Sequence, residues 1–202
     1  MVDIVIQLSP HILAALLYAV LGFHFWNSRW RDRQEQCVAC PMHVWERAVI
    51  GGAIVVHAYA VLSSLLGAGG MYFSFALALS LMMWLAVLIY WLESFMARME
   101  GMQPMVLPLA AVCAVLPALF RQGHLVAHAE AIGFQFHFLA AMLAYSLLTL
   151  AALHAIFMGF TEKMLHRRVV RRSLGSLPSL MAMETVLFRM LMLGFLLLTL
   201  AM

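Results

Sequence analysis

The sequence predicts an all-α polytopic transmembrane helical bundle of about six spans, with its N-terminus outside. Three observations lead there. Of 202 residues, 65% are hydrophobic and only 10% are charged, against about 25% charged in a soluble domain. The apolar residues fall in runs of span length separated by polar loops. The basic residues gather in alternate loops, the pattern of loops held in the cytoplasm. A soluble fold of this size has too little interior for so much apolar surface. Six spans of ~20 residues use about 120 residues and leave roughly 80 for loops and ends. The whole chain, 1–202, therefore reads as one bundle domain.

Taken in order, span 1 runs from Ser9 to Trp26, with Pro10 suited to a first helical turn. The segment before it has no basic stretch and no small-residue cleavage site, so it reads as a retained span rather than a signal peptide. Residues 27–46 form the one long polar loop. Span 2, Arg47 to Leu66, is ended by Gly67, Gly69 and Gly70. Span 3 covers Tyr72 to Leu92, and a polar turn follows to Gln103. Pro104 opens span 4, which lasts to Phe120; Pro108 and Pro117 inside it predict a kink or a short, irregular span. A loop over 121–130 precedes span 5, Ala131 to Leu165. That is ~50 Å of helix, so its end projects beyond the hydrocarbon. A basic linker, 166–178, leads to span 6, Leu180 to Met202.

Arg29, Arg31, Arg33 and Arg47 fall between spans 1 and 2, Arg98 between spans 3 and 4, and Lys163, Arg167, Arg168, Arg171 and Arg172 between spans 5 and 6. Among the opposite loops only Arg121 is basic. The N-terminus and the loop carrying His124 and His128 are therefore expected outside. The net charge of +3 reflects these loops, and nucleic acid is not an expected partner; membrane lipid is.

Nine histidines in so apolar a chain carry the chemical signal, because ionisable groups at membrane depth are costly and usually have a partner or a ligand. His57 lies near the middle of span 2, ~13 Å below the outer end, and His137 lies ~9 Å below the same surface in span 5. Two imidazoles on facing helices can clamp a haem iron axially. The competing reading is a histidine hydrogen-bonded to a neighbouring helix. Ala141, Ala144, Leu148, Ala152 and Ala155 follow His137 at helical spacing, a small-residue face that admits a second helix or a flat macrocycle. His154 and His24 occupy the inner half and form a candidate second pair. The step from His137 to His154 turns ~100° around the helix, so one face does not present both. His124 and His128 suit a ligand at the outer surface, or are ordinary solvated loop residues.

Cys37 and Cys40 form a C-x-x-C with His43 close behind, suggesting thiol chemistry or half a zinc site. Pro41 stands where a c-type haem attachment motif needs histidine. Cys113 reads as a span residue. Glu184 suits the first turn of span 6, and Arg189 is placed to pair with it or to reach the headgroups. The 17 methionines are scattered and read as apolar filling. Motifs for nucleotide binding, for a serine nucleophile or for zinc hydrolysis are not found.

Two stretches carry a resemblance. Phe134-Gln-Phe-His137-Phe-Leu-Ala-Ala-Met-Leu-Ala-Tyr145 and the residues after it to Thr149 are similar to the histidine-bearing helix of cytochrome c assembly proteins. The nearest branch is the CcsA-related, HemX-like inner membrane proteins. Leu177, Pro178, Glu184, Phe188, Gly194 and Thr199 resemble that family's pattern entering the next span, and His57 falls where the branch tends to carry a histidine. The resemblance implies haem handling for cytochrome c biogenesis, with haem b as cofactor, other cytochrome c assembly proteins or a membrane complex as partners, and the bacterial inner membrane as location. It makes His137 the first candidate ligand, with His57 and His128 behind it. The tryptophan-rich haem-binding segment of the full synthase is not found. The family normally continues for about two more spans, so an accessory member or a fragment is expected, without catalytic activity of its own. A membrane scaffold or regulator using the Cys37 loop and the basic 161–172 segment is the alternative. A transporter is disfavoured, since broken half-helices and buried acids are not found.

The sidedness is testable by single-cysteine labelling in a background with Cys37, Cys40 and Cys113 replaced by serine. Gln122→Cys is expected to react with an impermeant maleimide in intact cells, and Arg168→Cys only after permeabilisation.

Overall fold

A computed structural model describes residues 2–31, 42–67, 70–96, 101–120, 123–126, 129, 131–166 and 180–202. Six α-helices dominate: α1 (Val2–Phe25), α2 (Val44–Leu65), α3 (Phe75–Met96), α4 (Gln103–Leu119), α5 (Ile132–His166) and α6 (Leu180–Leu200). Helices are what an apolar solvent demands, because they satisfy every interior backbone group within the segment. Five helices are long and apolar enough to cross a membrane. The sixth, α4, has 17 residues and carries Pro108 and Pro117, matching the short span expected there. The 35 residues of α5 likewise match the over-long fifth span.

Several boundaries differ from expectation. The first helix begins near the N-terminus and continues past Phe25 as a π-helical turn, Trp26–Arg31, so the loop starts later than residue 27. Helix α2 begins at Val44, before Arg47. There the Glu46 carboxylate accepts from the His43 N–H at 2.8 Å, satisfying a donor that a helix start leaves free. The glycine-rich stretch after α2 forms strands that the span reading did not anticipate. Leu66–Gly67 (β1) pairs antiparallel with Gly70–Phe73 (β2), and β2 pairs with His124–Leu125 (β3). The linker 167–179, Cys37, Cys40 and His128 lie outside the described residues.

The helices pack in three tiers. Helices α1 to α4 form one group, in which α1 packs on α4 and α2 while α3 packs on α4 and α2. Helix α5 lies against α3, and α6 packs chiefly on α5. The main core joins Tyr18, Phe25, Ile50, Met83, Tyr90, Leu107 and Leu150. A second cluster, Val61, Leu65, Leu77, Leu81 and Leu85, meets Phe138 and Met142 near the small sheet. Only 17% of the α6 span is enclosed, against 50% for α3, so α6 turns most of its apolar surface outward. Polar bonds also tie neighbouring helices. Trp84 donates to the Ile54 carbonyl at 2.9 Å, Trp91 to the Arg47 carbonyl at 3.0 Å, and Ser146 to the Met82 carbonyl at 2.9 Å. Arg189 pairs with Glu93 of α3 rather than with Glu184.

Two contacts depend on glycine. A Cβ at Gly22 would stand 3.0 Å from the Pro108 ring, and one at Gly194 3.0 Å from Leu148, whereas Gly52 faces open space. Gly22→Leu is therefore expected to lower stability by about 1–3 kcal/mol through overpacking, with Gly52→Leu close to neutral. Thermal unfolding in detergent checks the pair.

Candidate functional site

The histidines divide into satisfied and open groups. His11 of α1 is buried. Its Nδ1 stands 3.2 Å from the Ala114 carbonyl and its Nε2 2.8 Å from the Ser64 hydroxyl. A carbonyl only accepts, so Nδ1 donates and Nε2 accepts from Ser64. His57 is fully buried, with Nε2 2.9 Å from Ser80 Oγ and Nδ1 3.4 Å from Tyr18 Oη. The Tyr18 ring meets the imidazole edge-on at 5.4 Å. These contacts join α1, α2, α3 and α4 at membrane depth.

His154 of α5 is also buried, between Met102 Sδ at 3.0 Å and the Met183 carbonyl at 3.0 Å. Two axial ligands of one haem iron stand about 4 Å apart, twice a metal–nitrogen bond of roughly 2.0 Å. The His154–Met102 spacing is too short for that. His24 lies elsewhere, at the other end of α1 from His11, with Nε2 donating to the buried Glu46 carboxylate at 3.2 Å. Its ring stands between Phe25 and Trp45, at 5.3 and 5.2 Å. No hydrogen bond or ring contact among the described residues joins His24 to His154, and each has its own partners.

His137 is the contrast. Its side chain is exposed on α5, and it makes no hydrogen bond among the described residues. It sits beside an aromatic edge. Phe134 stacks on Phe138 at 6.1 Å, and Phe138 meets Phe73 of β2 edge-on at 5.6 Å. Phe73 in turn pairs in register with His124 of β3, which is exposed. The small sheet therefore brings two open histidines to the same end of the bundle. The alanine face also differs from expectation: Ala144 is buried, while Ala152 and Ala155, ~22 and ~27 Å along α5 from His137, are exposed.

The clamp expected between His57 and His137 is not formed. His57 is enclosed between α1 and α3 with both nitrogens engaged, while His137 opens away from the bundle. The reason is rotational: similar depth in two spans does not put two rings on facing surfaces. Sequence reasoning also passed over His11 and Met102. The signal for His11 was its position seven residues before Tyr18, two helical turns along one face; Met102, in the turn before α4, carried none.

The arrangement defines a multi-pass helical membrane protein with a closed polar interior and an open histidine–aromatic edge at one end. Residues 51–202 match the family model described as Cytochrome C assembly protein. The chain belongs to the cytochrome c assembly protein family, which gives it a role in cytochrome c biogenesis. No match is found among curated proteins or solved structures.

The closed histidines carry a stability prediction. His57→Ala removes a buried ring and leaves Tyr18 and Ser80 without their partner, for an expected loss of about 2–4 kcal/mol. Ser80→Ala costs less. Unfolding midpoints of the two variants, compared in one detergent, check the order.

Proposed function

We propose that this protein handles haem for cytochrome c assembly, presenting His137 as an axial ligand at the end of the bundle that carries His124. The observation behind this reading is the contrast among the histidines. The neutral imidazole is a good iron ligand, but His11 and His57 already spend both nitrogens on protein partners, and His154 is buried with its Nε2 on the Met183 carbonyl. His137 has neither nitrogen engaged among the described residues, stands beside Phe134 and Phe138, and lies in the segment matched by the family model. His124 of β3 supplies a second ligand in this reading; His128 lies outside the described residues. Haem brings the iron chemistry; the residues named here bind and orient it. The loop charges make the other end the cytoplasmic one, and in this reading the haem edge faces outward from a bacterial inner membrane.

A scaffold role remains the second reading, favoured by the outward apolar faces of α5 and α6, which equally suit another membrane subunit. Visible spectra separate the two. Protein purified in detergent and mixed with haemin is expected to give a low-spin Soret spectrum that His137→Ala abolishes and Ser80→Ala leaves intact. A spectrum indifferent to His137, or no Soret shift at all, leaves the scaffold reading in possession.

A further inference from the structure

We infer that His154 and Met102 form a buried binding site for a soft monovalent metal ion, Cu(I), on the side of the bundle away from His137. This inference is independent of the haem reading.

The starting point is a mismatch of lone pairs. His154 Nε2 stands 3.0 Å from the Met183 carbonyl oxygen. A carbonyl has no hydrogen to give, so Nε2 carries the ring proton of the neutral imidazole. Nδ1 then presents a lone pair. The atom facing it, at 3.0 Å, is the Met102 thioether sulfur, which also has only lone pairs to offer. Two electron-pair donors thus meet inside the roughly 3.5 Å at which unbonded heavy atoms ordinarily pack. Among the described residues no other buried histidine shows this: His11 and His57 face hydroxyls, which adapt by rotating.

Something that accepts electron pairs resolves the contact. A proton on Nδ1 would leave an imidazolium among buried Met102, Met183, Leu150 and Phe157, with no carboxylate in contact among the described residues, and its one new bond would go to a weak sulfur acceptor. Cu(I) brings the same charge but forms a dative bond to each atom. The thioether is what selects it: imidazole suits Zn(II) as well as copper, but the soft thioether sulfur favours Cu(I), and harder ions prefer oxygen donors. With bonds of about 2.0 Å to nitrogen and 2.3 Å to sulfur, the present separation closes the angle at the metal to ~90°. Moving the sulfur by less than ~1 Å opens it toward trigonal, a shift within the three rotatable bonds of a methionine side chain. Met158 follows His154 by four residues, one turn along the same face of α5, and packs against the same cluster. The methionines that read as filling in the sequence thus acquire, at this one place, a chemical partner.

The test uses the full chain with Cys37→Ser, Cys40→Ser and Cys113→Ser, which removes all three competing thiols. Purified in detergent, it is titrated with Cu(I) against a colorimetric chelator. One Cu(I) per chain is expected, with a mixed nitrogen and sulfur shell in X-ray absorption and a raised unfolding temperature. Met102→Leu keeps the volume and is expected to weaken binding at least tenfold while size-exclusion and circular dichroism profiles stay unchanged; His154→Gln does the same. Failure of the parent to retain Cu(I), a shell without sulfur, or Met102→Leu binding as tightly as the parent overturns the inference. Should a variant misfold, the parent's stoichiometry, its absorption spectrum and its thermal shift still decide it.

Discussion

Inside hydrocarbon no water stands ready to complete a hydrogen bond, so each polar side chain must find its partner within the bundle. Most of this structure follows from that condition. His11 reaches from α1 to Ser64 of α2 and the Ala114 carbonyl of α4. His57 reaches from α2 to Ser80 of α3 and Tyr18 of α1. Trp84 and Ser146 close the α2–α3 and α3–α5 contacts through carbonyls. Each bond is worth little by itself, about 0.6 kcal/mol on average in membrane bundles. Their value lies in register. A helix that rotated or slid would leave a buried imidazole facing methyl groups, at the cost of an unmade bond. Apolar side chains alone, as interchangeable with lipid as with each other, would not impose that penalty.

The same condition gives the exceptions their meaning. A histidine that is buried and complete is part of the frame; one that is open, or complete on one side only, is available for something else. His137 belongs to the first kind of exception and His154 to the second. They sit on one helix, seventeen positions and about 25 Å apart, facing different surroundings. The two proposals can share α5 because it is the helix between tiers: it packs on α3 on one side and α6 on another, leaving part of its length uncovered.

Much of the architecture was legible in the sequence. Span count, the short proline-bearing α4 and the long α5 follow from apolar run length and from where prolines fall, which depend on local composition alone. The strands after α2 were not visible, since glycines that end a helix also suit a hairpin, and only pairing with residues 124–125 distinguishes them. The candidate site was legible in residue type and not in pairing. Depth along a span can be counted, so the sequence offers His57 and His137 as a pair by residue count alone. The direction of each ring depends on how α2 and α5 are rotated about their axes, and that is set by partners such as Ser80, Tyr18 and Phe73, which are distant in sequence.

The fate of Arg189 shows the same logic with charge. Glu184 precedes it on α6 and is near enough in sequence to suggest a local pair, yet five residues turn the two side chains ~140° apart on a helix. Glu93 at the end of α3 is far along the chain but lies on the side that Arg189 faces, and the pair forms there. Since α6 packs chiefly on α5 and encloses little of its own surface, this ion pair is one of the ties that hold it to the inner tier. An outer helix held by one packed neighbour and one charge pair is free to present its remaining apolar face, Phe188, Met192, Phe195 and Leu196, to lipid or to another subunit without disturbing the polar frame beneath it.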